Sequence, residues 1–268
     1  MQSNGAVVLV TGAGRGIGRA LCREFVRRGA AGVVAADLDG DLARATAAES
    51  GGLGVQCDVA DADATQAMVG AAERRYGRVD VLVSNAGFGS RVLDLDDALS
   101  VPEGTWQRMW DVHVMAHVHA CRAALPGMLE RGSGCLVNIA SAAGLLSQVG
   151  DTPYSVTKHA AVGLAESLAI TYGDRGVQVS VVCPQYVATA ITGLEEGMAA
   201  GSVPGVLTVG EAARTIVDDI EQGRFLILTH GEVREFYRNK AADYEHWIGA
   251  MRRVRNRVRG DGLFKVKS

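Results

Sequence analysis

Three features of this 268-residue chain point to a doubly wound α/β fold: a parallel sheet of about seven strands with helices on both faces. Short apolar runs at 6–10, 32–36, 54–57, 79–84, 134–139, 177–183 and 225–228 alternate with helix-length segments at 16–28, 40–49, 61–76, 103–131, 154–173 and 209–221. The runs are rich in valine, leucine and isoleucine without clean polar alternation, as strands covered on both faces are. The 34 glycines against 5 prolines suit many tight strand-to-helix turns, and no break in composition divides the chain. Residues 1–230 therefore read as one domain, followed by a C-terminal extension at 231–268. Ligands of such sheets bind beyond the carboxyl ends of the strands, so the segments that follow the runs hold the candidate site.

The first run passes directly into Thr11-Gly12-Ala13-Gly14-Arg15-Gly16-Ile17-Gly18 and then a helix. Glycines permit a sharp turn and close approach of a pyrophosphate, and the amides and dipole of the helix N-terminus attract its charge. A Gly-x-Gly-x-x-Gly pattern begun at Gly12 would need glycine where Ile17 stands; the spacing is Thr-Gly-x-x-x-Gly-x-Gly instead. The second run leads to Asp37-Leu38, where a carboxylate would accept hydrogen bonds from ribose hydroxyls and repel a 2′-phosphate. No Arg or Lys follows at once, which favours NAD over NADP, although Arg15 pulls weakly the other way. Asp58-Val59 follows the third run and Ser84-Asn85-Ala86-Gly87 the fourth. Two later helices carry capping-box starts, Ser100 to Glu103 and Thr208 to Glu211.

The segment 154–173 holds the most telling pair. Lys158 is the only lysine in the first 239 residues of a chain with 23 arginines, and it lies one helical turn after Tyr154. A solvated surface accepts either cation, so a lone lysine suggests work that a planar guanidinium cannot do. Residues i and i+4 share a helix face, so the ammonium can lie near the phenol. Bringing a phenol from its ordinary pKa near 10 to about 7 takes roughly 4 kcal/mol of preferential phenolate stabilisation, and a nearby cation can supply much of it.

In these motifs the chain resembles the classical short-chain dehydrogenase/reductase family from about residue 6 to 230: Thr11 to Gly18, Asp58-Val59, Ser84 to Gly87, Ser141 after the fifth run, Tyr154-Ser-Val-Thr-Lys158, and Pro184 to Thr189 after the sixth. The resemblance implies a Rossmann-type fold. It implies that Asp58 and Val59 hold adenine, that Asn85, Ala86 and Gly87 shape the cofactor site, and that Val187 and Thr189 meet the nicotinamide carboxamide. It also implies a mechanism. Ser141 would bind the substrate oxygen, Tyr154 would carry the proton, and Lys158 would bind the nicotinamide ribose and lower the tyrosine pKa with help from the positive ring, as hydride moves between substrate carbon and nicotinamide. The expected activity is NAD(H)-dependent interconversion of a secondary alcohol and a ketone, in a homodimer or homotetramer built through 103–131 and 154–173. The alternative is a nucleotide-binding regulatory or scaffold protein of the same fold with impaired turnover.

Two departures motivate that alternative. Where the family has an asparagine that completes a water relay to the lysine, this chain has His113, so the relay is either modified or weakened. Where the family's Pro-Gly pair has glycine, Gln185 stands. His113, His117 and His119 invite a metal reading, but no carboxylate completes a recognisable set, so no metal is expected.

The segments 88–100, 142–151 and 186–207 would face substrate. They offer Phe88, Arg91, Val92, Leu93, Leu145, Leu146, Gln148, Tyr186, Ile191, Leu194 and Met198, a mostly apolar set suited to a medium-sized hydrophobic alcohol or ketone. Five scattered cysteines without a Cys-x-x-Cys pair read as reduced thiols. With no signal-like or membrane-length apolar segment, a cytoplasmic protein is expected. The overall charge of −3 gives no reason for nucleic-acid binding. That charge is uneven, +5 over 231–268 and −8 before it. In the extension, Trp247, Ile248, Met251, Val254 and Val258 approximate one helix face against Arg252, Arg253, Arg255, Arg257 and Arg259. Such a helix can dock on an acidic body, which the −8 favours, contact a membrane or partner, or stay partly disordered.

Overall fold

The computed structural model describes residues 1–90, 93–194, 201 and 205–261. Its sheet is parallel and seven-stranded, in the order β3-β2-β1-β4-β5-β6-β7. The strands are β1 (Val7–Thr11), β2 (Gly32–Asp37), β3 (Leu53–Gln56), β4 (Val81–Ser84), β5 (Gly134–Ile139), β6 (Val177–Val182) and β7 (Leu226–Ile227), one for each apolar run. The helices are α1 (Gly16–Arg27), α2 (Gly40–Ser50), α3 (Ala62–Tyr76), α4 (Glu103–Trp110), α5 (Ala116–Glu130), α6 (Ala143–Leu146), α7 (Thr152–Tyr172), α8 (Val209–Glu221), α9 (Glu232–Ala242) and α10 (Tyr244–Asp261).

Strand side chains point alternately to opposite faces, and each face has its own core. Leu9, Val34, Leu82, Leu136 and Val181 join Met68 and Val69 of α3, Ala120 and Cys121 of α5, and Ala161 and Ala165 of α7. On the other face Val8, Val10, Val33, Val83 and Val137 meet Leu21 and Phe25 of α1 and Ile216 and Ile220 of α8. Burial on both faces is why the runs do not alternate in the sequence. Truncating a fully buried residue such as Ile216 to alanine should cost about 2–5 kcal/mol.

The predicted 103–131 helix is interrupted: Asp111–Met115 forms a π turn between α4 and α5. The Thr208–Glu211 capping box forms as read, with the Glu211 amide donating to the Thr208 hydroxyl at 3.2 Å and the Thr208 amide to Glu211 Oε2 at 2.9 Å. The Ser100–Glu103 box does not. Pro102 takes the N-cap position, and the Ser100 hydroxyl turns back to donate to the Asp97 carbonyl at 3.2 Å. After β7 the chain returns across the molecule. α9 packs on α6, and α10 packs chiefly on α9, with Trp247 against the core and Ile248 and Val254 exposed. Arg259 of α10 pairs with Asp96 at 2.9 Å. Among the described residues, no helix is long and apolar enough to cross a membrane.

Candidate active site

The strands deliver the sequence motifs to one edge of the sheet. Thr11, Asp37, Ser84 and Ile139 end β1, β2, β4 and β5, and Pro184 follows β6 by two residues. Thr11 and Asn85 clasp the loops after β1 and β4. The Thr11 hydroxyl accepts from the Asn85 amide at 2.9 Å and the Ala86 amide at 3.2 Å. The Asn85 side chain donates to the carbonyls of Thr11 and Gly12 at 2.8 and 3.1 Å. These polar groups brace the cleft from behind.

The glycine loop is a cradle that side chains would fill. A Cβ on Gly18 would stand 2.2 Å from the Gly12 carbonyl oxygen, and one on Gly14 2.7 Å from Leu42 Cβ and 2.9 Å from Asp37 Oδ2. Gly12 and Gly16 have φ of +61° and +58°, a region that side chains disfavour. Arg15, at the N-cap of α1, supplies no side-chain cap, and Ile17 lies between the two closing glycines. A helix start left so bare suits a phosphate group. The Asp37 carboxylate accepts from the Gly14 amide at 2.8 Å and the Asp39 amide at 3.0 Å, which fixes it beside the loop with lone pairs to spare. Leu38 beside it is exposed. Asp58 is ion-paired with Arg108 at 3.0 Å, while the Val59 side chain is in the core and its carbonyl accepts from the Thr65 hydroxyl at 3.3 Å. These residues fit a dinucleotide.

Ser141, Tyr154 and Lys158 come together past the end of β5. The Ser141 hydroxyl receives the Ala143 amide at 3.1 Å, donates to the Pro184 carbonyl at 3.5 Å, and lies close enough to the Tyr154 phenol to favour its ionised form. The Lys158 ammonium is 5.6 Å from the centre of the Tyr154 ring and donates to the Ile139 carbonyl at 3.1 Å. Burial lowers the lysine pKa from an ordinary 10.5 to about 8. One sequence-based expectation needs correction. Within the protein alone, burial raises the Tyr154 pKa above its ordinary value, and the nearby Ser141 hydroxyl only partly offsets this. Lys158 does not bring the phenol down by itself, because an ammonium with a pKa near 8 gives up its proton before the phenol ionises.

His113 lies in the π turn, fully buried. The Phe88 amide donates to Nε2 at 3.1 Å, so that nitrogen is the unprotonated acceptor, and Nδ1–H donates to the Thr157 hydroxyl at 2.9 Å. Burial first, then the nearby positive charge of Lys158, holds the imidazole pKa well below its ordinary value. Both nitrogens are thus engaged by protein groups on a neutral ring, which ties the loop after β4 to the first turns of α7. This geometry makes the His113 ring a brace between the two elements. His117 is also buried, and burial pushes its pKa down to about 3. The described residues contain no group of three metal-ligating side chains.

After β6, the Pro184 carbonyl accepts from the Ala142 amide at 2.7 Å and so joins the β5 and β6 loops. Gln185 buries its side-chain oxygen without a hydrogen-bond partner. Val187 is buried, and the Thr189 hydroxyl donates to its carbonyl at 3.3 Å. On the substrate side, Tyr186, Ile191 and Gln148 are exposed, and Leu93 and Leu194 partly so. Leu145 and Leu146 are not available to substrate as expected: both point into the core beneath α6. The expectations for Arg91, Val92 and Met198 fall outside the described residues. Sequence reasoning missed Thr157 and Phe88 as partners of His113, and Asp151, whose carboxylate caps α7 by accepting from the Tyr154 amide at 3.3 Å. An aspartate directly before Thr-Pro was the available signal for that cap.

A glycine loop at a bare helix start and a Ser-Tyr-Lys cluster on one edge of a parallel sheet place the protein in the Rossmann class of oxidoreductases. The chain belongs to the short chain dehydrogenase family, which residues 6–198 match. It is 34% identical over 232 residues to the oxidoreductase UcpA of Salmonella typhimurium, covering 82% of this chain and 85% of that one. It is 33% identical over 250 residues to the 1-deoxy-11-beta-hydroxypentalenate dehydrogenase of Streptomyces exfoliatus, covering 91% and 89%. A short chain dehydrogenase/reductase from Burkholderia phymatum, solved in complex with NAD, superposes with a TM-score of 0.81 at 29% identity, covering 91% of this chain and 96% of that one.

Proposed function

We propose that this protein interconverts a secondary alcohol and a ketone using NAD(H), with Tyr154 as the acid/base. The observation that carries the reading is the meeting of Ser141, Tyr154 and Lys158 beside the glycine cradle. Bound there, nicotinamide supplies the hydride acceptor or donor. Thr11 to Gly18 would hold the pyrophosphate, Asp37 the adenosine ribose, Asp58 and the Val59 backbone the adenine, Asn85 to Gly87 the cleft wall, and Pro184, Val187 and Thr189 the carboxamide end. Ser141 would orient the substrate oxygen and Tyr154 would exchange a proton with it. The cation that Tyr154 needs beyond Lys158 fits the oxidised state of NAD, which couples proton removal to the arrival of the cofactor. Asp37 fixed beside the loop supports NAD over NADP. Exposed Tyr186 and Ile191 support a mainly apolar, medium-sized substrate. Exposed Trp110, Val156 and Ile170 on α4 and α7 support a homodimer or homotetramer, and the expected location is the cytoplasm. The division at residue 230 into a catalytic domain and an extension belongs to the same reading.

The experiment is a screen of secondary alcohols and ketones followed at the absorbance band of reduced nicotinamide, repeated with Tyr154→Phe. General acid/base catalysis contributes about 10²–10⁴-fold. The variant should lose that much turnover while binding NADH as the wild type does. Unchanged turnover would remove Tyr154 from the assigned role.

A further inference from the structure

The described residues contain two lysines, and both are buried beside the segment that carries Ser141. Lys158 donates to Ile139, two residues before the serine. Lys240, on α9 in the C-terminal extension, donates to the Leu145 carbonyl, four residues after it, at 2.6 Å. Lys240 as a whole is 7% exposed, and no carboxylate forms an ion pair with its ammonium among the described residues. Its other contacts are His159 Nε2 at 3.5 Å and the face of Tyr244 at 5.4 Å. His159 Nδ1 donates to the Ser155 carbonyl at 2.8 Å, which leaves Nε2 as the acceptor for the ammonium.

Burying an ammonium without a counter-charge is costly unless its hydrogen bonds are made, and those of Lys240 run to α6 and α7. What Lys240 holds is short and strained. α6 is a single turn whose last carbonyls have no partner within the helix, and it stops at Ser147, the only residue other than glycine with positive φ among those described, at +66°. Such a conformation survives only where the surroundings impose it. The same turn is anchored to the serine at its other end, through the Ala143 amide on Ser141 Oγ and the Gly144 amide on the Ser141 carbonyl at 2.9 Å. We propose that Lys240 is a positioning residue: from the C-terminal extension, with His159 as its support, it fixes α6 and thereby the Ser141 hydroxyl that faces Tyr154. The proposal rests on the oxidoreductase reading for its catalytic consequence, while the mechanical link stands by itself.

Amide hydrogen exchange tests that link without turnover. Lys240→Met keeps the apolar stem and removes the donor. Amides of 143–148 should then exchange about tenfold faster, with those of β1 and β5 unchanged. His159→Leu should act in the same direction, and His159→Gln, which keeps an acceptor, should restore protection. Unchanged exchange at 143–148 in Lys240→Met overturns the proposal. With 1-phenylethanol and NAD as the probe pair, Lys240→Met should lower kcat about tenfold while the Kd for NADH stays within about twofold, because the cradle lies on other loops. Faster exchange with kcat and KM both at wild-type values would make Lys240 a support of the fold alone and would also overturn it. A wild-type chain inactive across alcohols and ketones sinks the oxidoreductase reading instead, and the exchange comparison still decides the link.

Discussion

Lys158 carries a cost that can be measured through pH. Its ammonium is buried, with a pKa near 8 in the fold against 10.5 for an ordinary lysine. A shift of that size corresponds to roughly 3 kcal/mol against the folded state when both states hold the proton, as they do at neutral pH. As pH rises through 8 the folded state releases its proton while the unfolded chain keeps one, so this group adds stability with increasing pH up to its unfolded value. Buried thiols work the other way. Cys22, Cys121, Cys135 and Cys183 are pushed up to about 12, so ionisation of the unfolded chain above about pH 9 erodes stability. Both proteins share the thiols, so the comparison with Lys158→Met cancels them. In urea unfolding followed by tryptophan fluorescence, the wild type should gain about 2.5 kcal/mol on the variant between pH 7 and pH 10. A difference that is flat across that range, or that grows in favour of the variant, would refute a desolvated ammonium at this position.

Other outcomes follow from the same geometry. His113→Leu strands the Phe88 amide, while the Thr157 hydroxyl keeps its bonds to the Pro153 and Tyr154 carbonyls, and should cost about 1–3 kcal/mol by thermal or urea unfolding; His113→Asn should recover part of it. In a ring NMR titration the His113 protonation midpoint should fall well below that of an ordinary imidazole, because burial and the nearby Lys158 charge disfavour the imidazolium. Gly18→Ala places a methyl 2.2 Å from the Gly12 oxygen and should weaken NADH binding at least about tenfold in a fluorescence titration, whereas Gly70→Ala in α3 meets only the flexible end of Arg74 and should stabilise by up to about 1 kcal/mol. Asp37→Ser should narrow the preference for NADH over NADPH, read as the ratio of the two dissociation constants; an unchanged ratio would remove Asp37 from nucleotide selection.

The strands and the glycine loop were legible because each leaves a local mark: two-faced burial gives continuous apolar runs, and a backbone that must lie bare gives glycine at fixed intervals. The pairing of Tyr154 with Lys158 was legible through helical periodicity. The π turn was not. An extra residue in one turn shifts the helical phase without changing composition, so 103–131 looks like one helix in the sequence. Leu145 and Leu146 were misassigned because a one-turn helix after β5 turns both inward, and no window of four residues predicts that. The failed box at Ser100 shows the same limit: its residue types were right, but Pro102 fixed the helix start two residues later. The roles of His113 and Lys240 depend on partners 25 to 95 residues away, a separation at which periodicity carries no information.

All five cysteines are free and buried, on both sides of the sheet. The molecule therefore carries its own reporter of opening. An alkylating reagent added to the native protein can modify a sulfur only when part of the structure parts to admit it, so the speed of incorporation at each site maps how often that region breathes. Such a map needs no engineered probe and no turnover, and it would show which layer of the fold loosens when a ligand or a substitution disturbs the catalytic edge.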